Sequence, residues 1–321
     1  MTAGPAPKVA VVLIGRNEGA RLVAALASVP AGVGPVVYVD SGSTDGSVAA
    51  AEAARARVVR LDMARPFTAA RARNEGFAAL AAEAPDYVQF VDGDCMLNPG
   101  WIDTALAFLE ANPKAAVACG RRRERFPAAS VWNRLCDEEW DTAPGRAKAC
   151  GGDALVRATA FTKVGGFDPG LIAGEEPELC VRLRAAGWEV WRLDAEMTLH
   201  DADMHHFGQW WKRMRRSGHA FAEGAALHGG PPEHHFQRET RSALVWGLAL
   251  PTAAIVGGLM VSPWALLLLL AWPLQILRLA PRLGAVRAVF LTLGKLPEAM
   301  GVTEYWLRRL RGRPAALIEY R

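Results

Sequence analysis

Two aspartates sit two residues apart in "FVDGDCM", Asp92 and Asp94 around Gly93, directly after an apolar run. Hard divalent cations take oxygen ligands, and Mg²⁺ or Mn²⁺ is commonly shared between one or two carboxylates and the phosphates of a substrate. A solvated polar turn would use the same residues. A second acidic cluster stands in "AGEEPELCVRL", where Glu175 and Glu176 precede Pro177 and an apolar helical stripe. Carboxylates there either decorate a helix N-terminus, where they suit the macrodipole and Pro177 is expected as the first helical residue, or they accept a proton during catalysis.

Other candidates surround these acids. "VVYVDSGSTDGS" places Asp40 after a strand-like run, and Ser41 and Gly42 open a loop that presents N–H groups and hydroxyls to an anion. Asp40 suits a base edge, while Asp45 suits the cap of the next helix. "RARNEG" puts Arg71, Arg73 and Asn74 on one helix, and arginine suits bidentate contact with phosphate. The basic run "GRRRERF" reads as solvated charge or as a contact for an anionic acceptor or lipid headgroup.

The elements that must hold these residues alternate. Val-rich runs ("KVAVVLIG", "PVVYVD", "ARVVRL", "DYVQFVD", "AAVACG") are separated by Ala-rich helical stretches. Continuous apolar strands between helices imply a mostly parallel sheet covered on both faces, with ligands at the carboxyl ends of the strands. That places the chemistry near Gly15, Asp40 and Asp92. The 321 residues suffice for one large or two ordinary domains, and a net charge of +4 is too small to imply nucleic acid. The five cysteines form no Cys-x-x-Cys pair, which fits a reduced compartment. The N-terminal apolar run meets Arg16 and Glu18 too soon for a signal peptide.

From Ser242 to Leu277 no residue is charged, a length that suits two short membrane spans with a turn at "VSP". Arg238 and Arg241 precede the stretch, and Arg278, Arg282 and Arg287 follow it. Basic flanks on both sides place both ends in the cytoplasm, at the inner face of the plasma membrane. A buried helical hairpin is the alternative. The tail reads as an interfacial amphipathic helix or helix pair.

Taken in order, "VVLIGRNEGARL", "VVYVDSGSTDGS", "ARNEG", "FVDGD", "VGGFD" and "GEEPELCVRLRAAGW" resemble glycosyltransferase family 2, over about Lys8 to Gly218. The resemblance implies a GT-A fold, Rossmann-like with helices on both faces, and an inverting transfer from a nucleotide-diphosphate sugar, expected as a UDP-sugar, with Mn²⁺ or Mg²⁺. It implies that Asp40 contacts the base and Arg71 the diphosphate, with Asn74 nearby. Arg16, Asn17 and Glu18 would line the nucleotide pocket. Asp94, helped by Asp92, would hold the metal, and His200 is a further metal or diphosphate candidate. Glu176 falls where the family has its aspartate base, so a glutamate stands in place of aspartate and Glu175 is a second candidate. Gly151, Gly152 and Asp153 resemble the acceptor-side glycine segment, with Asp153 as a sugar-hydroxyl ligand.

"QWWKRMRRSG" does not match the processive Gln-x-x-Arg-Trp motif; its Arg213 and Arg216 are candidates for donor or acceptor phosphates. His205, His206, His234 and His235 read as loop residues. The expected division is a catalytic domain over 1–223 (halves 8–120 and 121–223), a linker over 224–241, a hydrophobic hairpin over 242–279 and a basic tail over 280–321. The expected acceptor is a hydroxyl of a lipid-linked or membrane-proximal glycan. A polyprenyl-phosphate sugar synthase, or an inactive scaffold with the same fold, are the alternatives.

Overall fold

The computed structural model describes residues 7–312. The chain divides into two compact units, Met1–Asp203 and Met204–Arg321.

The first unit runs β1 (Val9–Gly15), α1 (Ala20–Ala27), β2 (Val36–Asp40), α2 (Ser47–Ala53), β3 (Arg57–Arg60), α3 (Ala69–Ala78), β4 (Tyr87–Asp92), β5 (Cys95–Leu97), α4 (Trp101–Ala111), β6 (Ala115–Glu124), α5 (Val131–Glu139), β7 (Gly145–Arg146), β8 (Ala154–Arg157), α6 (Ala158–Lys163), α7 (Glu175–Ala185) and β9 (Glu189–His200). One sheet carries them all, in the order β3-β2-β1-β4-β8-β6-β9-β5, with β7 beside β9. The first four strands in that order are parallel. β8 then runs antiparallel between β4 and β6, and β5 runs antiparallel to β9. The sheet is therefore mixed, parallel over β3-β2-β1-β4 and again between β6 and β9. Every side chain from Val9 to Ile14 is buried, which is what helices on both faces require of a central strand.

Two local features place the site. Thr68 caps α3 by accepting from the Arg71 N–H at 3.1 Å. Gly76 then lets α3 lie close on the sheet, because a Cβ there would fall 2.4 Å from Val12 and 2.9 Å from Val39. Arg73, nearly one turn earlier, is thereby driven under the end of β4. α7 starts at Glu175, two residues before Pro177, with Gly174 supplying a left-handed N-cap at φ 80°.

The second unit is helical: α8 (Phe207–His228), α9 (Gln237–Leu244), a π-helical turn Val245–Ala249, α10 (Leu250–Met260), a 3-10 stretch Pro263–Leu270, α11 (Ala271–Leu283), α12 (Ala285–Leu293) and α13 (Lys295–Leu310). α8 belongs to this unit, so the catalytic unit ends about twenty residues before the expected boundary at 223. The expected linker is mostly helix as well; only 229–236 separates α8 from α9. α13 is a packed helix rather than a surface strap. A Cβ at Gly218 would lie 2.0 Å from the Glu298 carbonyl, and one at Gly301 2.0 Å from the Arg215 carbonyl, so the α8 and α13 backbones touch. The end of the expected tail, 313–321, lies outside the described residues.

Two continuous helical segments, Gln237–Met260 (24 residues) and Pro263–Leu283 (21 residues), are long and apolar enough to cross a membrane. They turn at Val261–Ser262, and Gly257 and Gly258 pack on Ala265 and Leu266. Leu259, Met260 and Trp264 at the turn are each about 80% exposed.

Candidate functional site

Asp92 ends β4 and leads into Gly93, whose N–H donates to the Ile14 carbonyl at 2.8 Å. Its carboxylate lies between two arginines. Arg73 Nη2 approaches Oδ1 at 2.7 Å and Arg122 Nη2 approaches Oδ2 at 3.4 Å. Burial opposes the charge on Asp92, but the two guanidiniums outweigh it and hold the carboxyl below its ordinary value.

Arg73 is the hub. Its Nη1 also reaches Glu175 Oε1 at 2.8 Å and Glu176 Oε1 at 3.4 Å, and its side chain is only 2% exposed. The two glutamates therefore divide. Glu175 is buried and accepts a hydrogen bond from Arg73 Nη1. Glu176 sits farther from the guanidinium and is partly exposed. Burial, and next the charge of Glu175, push its carboxyl up to about 7 against the pull of Arg73. A carboxylate tuned to neutrality is suited to taking a proton and giving it up.

Gly152 fits between these groups because it has no side chain: a Cβ would lie 2.6 Å from both Arg73 Nη2 and Asp92 Oδ2. Asp153, expected as an acceptor ligand, is corrected. It is wholly buried, with Oδ1 accepting from the Asp92 N–H at 3.0 Å and Oδ2 taken by Thr198 at 2.8 Å and Arg122 at 2.8 Å. It pins the end of β4 and cannot reach a sugar. Gly151 is exposed beside it, at φ 99°.

On the other side of Gly93, Asp94 faces His200, Oδ2 to Nε2 at 3.3 Å, with both side chains under 10% exposed. The strands dictate the meeting, since Cys95 and His200 are register partners of β5 and β9. Burial pulls the imidazole down, but Asp94 and Glu124 together carry it above its ordinary value. One carboxylate oxygen and one imidazole nitrogen suit Mn²⁺ better than Mg²⁺. The buried thiol of Cys95 is also close, but burial pushes it far up, so it stays protonated and outside a hard-cation donor set. Asp92, engaged by two arginines, is the weaker metal candidate.

Several expected ligands are turned inward. Asn74 clamps the Phe167 peptide, donating to its carbonyl at 2.7 Å and accepting from its N–H at 2.9 Å. It holds a turn rather than facing the acids around Arg73. Arg71 gives Nη1 to the carbonyls of Asp62, Arg65 and Pro66, so Arg73 is the arginine among the acids. Asp40 accepts from the N–H groups of Gly42 and Ser43, which shapes the loop beyond Ser41. That loop is clipped to the first one: Asn17, at φ 56°, accepts from the Thr44 N–H at 2.8 Å and donates its own N–H to Ser43. Glu18 pairs with Arg21, Arg16 lies over the Phe67 ring, and Asp45 caps α2 through the Ser47 N–H. Arg213 and Arg216 lie on α8, in the second unit.

Arg122 was not legible as a site residue. Its run was read as lying beyond the strand, whereas β6 continues through Glu124. The signal was the acid that closes the run, since a strand alternates its faces and so separates Arg122 and Glu124 from Arg121 and Arg123.

The model of the family described as Glycosyl transferase family 2 matches residues 10–153. This stretch is similar to a glycosyltransferase family 2 domain. A pre-mycofactocin glycosyltransferase from Mycobacterium tuberculosis is 29% identical over 143 residues, 41% of this chain and 30% of that protein. The chain thus spans less than a third of the curated relatives it matches. Among solved structures, a mannosyltransferase from Pyrobaculum calidifontis in complex with GDP-Man and Mn²⁺ superposes with a TM-score of 0.66 at 19% identity, over 93% of this chain and 88% of that one. Glucosyl-3-phosphoglycerate synthase from Mycobacterium tuberculosis, in complex with Mn²⁺, UDP and glucosyl-3-phosphoglycerate, gives 0.51 at 22% identity over 70% and 81%. At these identities the likeness shows the fold, a GT-A architecture.

Proposed function

We propose that the protein is an inverting glycosyltransferase that moves a sugar from a nucleotide-diphosphate donor, a UDP-sugar, to a hydroxyl of a lipid-linked or membrane-proximal glycan. The observation that carries the reading is Glu176, a partly exposed carboxylate tuned to about 7 and held by Arg73 beside the Asp92–Asp94 edge. The similar structures solved in complex with GDP-Man or UDP and Mn²⁺ support the donor class.

In this reading the clipped turns around Asn17 and Ser43 receive the nucleotide. Asp94 and His200 hold the divalent cation, which when bound supplies positive charge against the diphosphate. Arg73 keeps Glu176 and Asp92 at fixed positions, so little reorganisation accompanies the reaction. Glu176 takes the proton of the acceptor hydroxyl as that oxygen attacks the anomeric carbon from the face opposite the diphosphate.

The second unit attaches the enzyme to the membrane by the two apolar segments, with both ends on the cytoplasmic side. The basic flanks and the exposed Leu259, Met260 and Trp264 support this placement.

The test begins with a screen of nucleotide sugars for Mn²⁺-dependent thermal stabilisation, which reads binding without requiring the acceptor. Glu176→Gln should keep the shift given by the best donor and lose about 10²- to 10⁴-fold in transfer. Transfer near the native rate in Glu176→Gln would remove the base from this carboxylate. If that transfer went to a polyprenyl phosphate, whose anion needs little base help, the enzyme would be a polyprenyl-phosphate sugar synthase.

A further inference from the structure

His200 closes the sheet between two acids. β5 brings Asp94 to one ring nitrogen, and β6, where Glu124 and His200 are register partners, brings Glu124 to the other. Glu124 Oε2 lies 3.6 Å from His200 Nδ1, and this nitrogen has no hydrogen-bond partner at closer range. The Glu124 side chain is fully buried.

The carboxylate is held from three directions. Its Oε1 accepts from the Phe126 N–H at 3.0 Å and from Asn133 Nδ2 at 3.3 Å, and its Oε2 accepts from the Ala202 N–H at 3.0 Å. These donors leave no freedom to rotate the group away. Asp94 Oδ2 lies nearer, 3.3 Å from Nε2, so without a cation both ring nitrogens face an acceptor. When a cation takes the Nε2 lone pair, the fixed, buried acceptor at Nδ1 selects the tautomer that carries its proton there.

We infer that Glu124 is a positioning residue: it fixes the tautomer and orientation of His200, so that His200 Nε2 and Asp94 form a ready pair of ligands for a divalent cation. This rests on the reading of Asp94 and His200 as the metal pair. Carboxylate, imidazole and metal in line is a general way to orient a ligating histidine, and loss of the outer partner typically costs about 10- to 100-fold in metal affinity. A glutamine cannot replace it, since its NH₂ group would face at least one of the N–H donors that hold Glu124.

The experiment uses full-length protein in detergent and Mn²⁺ alone. Free Mn²⁺ is counted by electron paramagnetic resonance in the native protein, Glu124→Gln, His200→Ala and Asp94→Asn. In parallel, ¹⁵N-histidine NMR of protein loaded with Zn²⁺, a diamagnetic stand-in for Mn²⁺, reads the His200 tautomer, assigned by its loss in His200→Ala. The inference expects the Nδ1–H tautomer in the Zn²⁺-loaded native protein and a 10- to 100-fold weaker Mn²⁺ affinity in Glu124→Gln, with a changed tautomer ratio. A native Nε2–H tautomer overturns it, as does native Mn²⁺ affinity in Glu124→Gln. If His200→Ala and Asp94→Asn leave Mn²⁺ binding at its native level, the metal pair is wrong and the inference falls with it. The tautomer still reports separately whether Glu124 orients the ring. A Glu124→Gln protein that does not fold is replaced by Asn133→Asp, which turns a donor to Glu124 into a repelling carboxylate. A native tautomer and native Mn²⁺ affinity there would overturn the inference.

Discussion

Replacing Arg73 by methionine keeps much of the stem and removes the charge from the centre of the acidic site. Asp92, Glu175 and Glu176 then face one another, with only Arg122 left, on Asp92. Removing one partner of a buried ion pair costs about 3–5 kcal/mol, mostly because the opposing charge stays behind. In a unit of this size each kcal/mol moves the melting temperature by about 2–4 °C, so at pH 8 the loss should be roughly 6–20 °C. The deficit should depend on pH in a defined direction. Without the guanidinium, the clustered carboxyls hold protons more tightly in the folded state than in the unfolded one. A folded pKa above the unfolded value adds stability at low pH and loses it as pH rises through the folded value. The Arg73→Met deficit should therefore shrink between pH 8 and pH 5.5. Differential scanning calorimetry of the full-length protein in detergent, native and variant at both pH values, measures it. A deficit below 2 °C at pH 8, or one that grows as pH falls, would refute the account of Arg73 as the charge that makes this site foldable.

The same linkage acts on Glu176 in the native protein. Its folded value of about 7 lies above the ordinary 4.5, so the native protein loses stability as pH rises through 7 and Glu176→Gln does not. The variant should melt higher than native at pH 8, by about 1–3 kcal/mol in stability, and match it near pH 4.5; thermal melts across that range decide. Transfer by the native enzyme should rise through pH 7 and level off above it, since the base acts unprotonated; a flat profile from pH 5.5 to 8.5 would count against it. Gly301→Ala puts a Cβ 2.0 Å from the Arg215 carbonyl, so α13 must lift from α8. Size-exclusion chromatography in detergent should show an expanded or aggregated protein, with helix content reduced by circular dichroism. Finally, full-length protein should sediment with membranes and need detergent to leave them; recovery in the aqueous fraction would remove the hairpin from the bilayer.

The parallel half of the fold was legible because its strands are buried on both faces and read as unbroken Val-rich runs. Asp92 and Asp94 were legible because polar residues after such strands have few structural uses, whereas the Glu175–Glu176 pair stood out only through the resemblance to the family's base segment. The arginines were harder. Arg71 and Arg73 are two residues apart on a helix, about 200° around its axis, and nothing local says which one faces the sheet. Gly76 decides it, through a contact with Val12 that is visible only in three dimensions. Arg122 and Asp153 pair across 31 positions, through the antiparallel insertion of β8 that no local pattern announces. The place of α8 is hidden for a similar reason: Gly218 marks a helix crossing, and the Glu298 backbone it meets lies eighty residues away.

The place of β9 sets the order in which a growing chain becomes competent. It lies between β6 and β5, and its last residue, His200, faces Asp94. Until that strand emerges from the ribosome, β5 and β6 each have an unpaired edge, and such edges recruit other chains. The first unit can complete its sheet only a few dozen residues before the apolar segments from Gln237 appear. Vectorial synthesis therefore gives the first unit a short interval to fold before the apolar segments appear. Nascent chains stalled before residue 200 should be the aggregation-prone species, while chains stalled at 230 should already protect β5 and β6 from proteolysis.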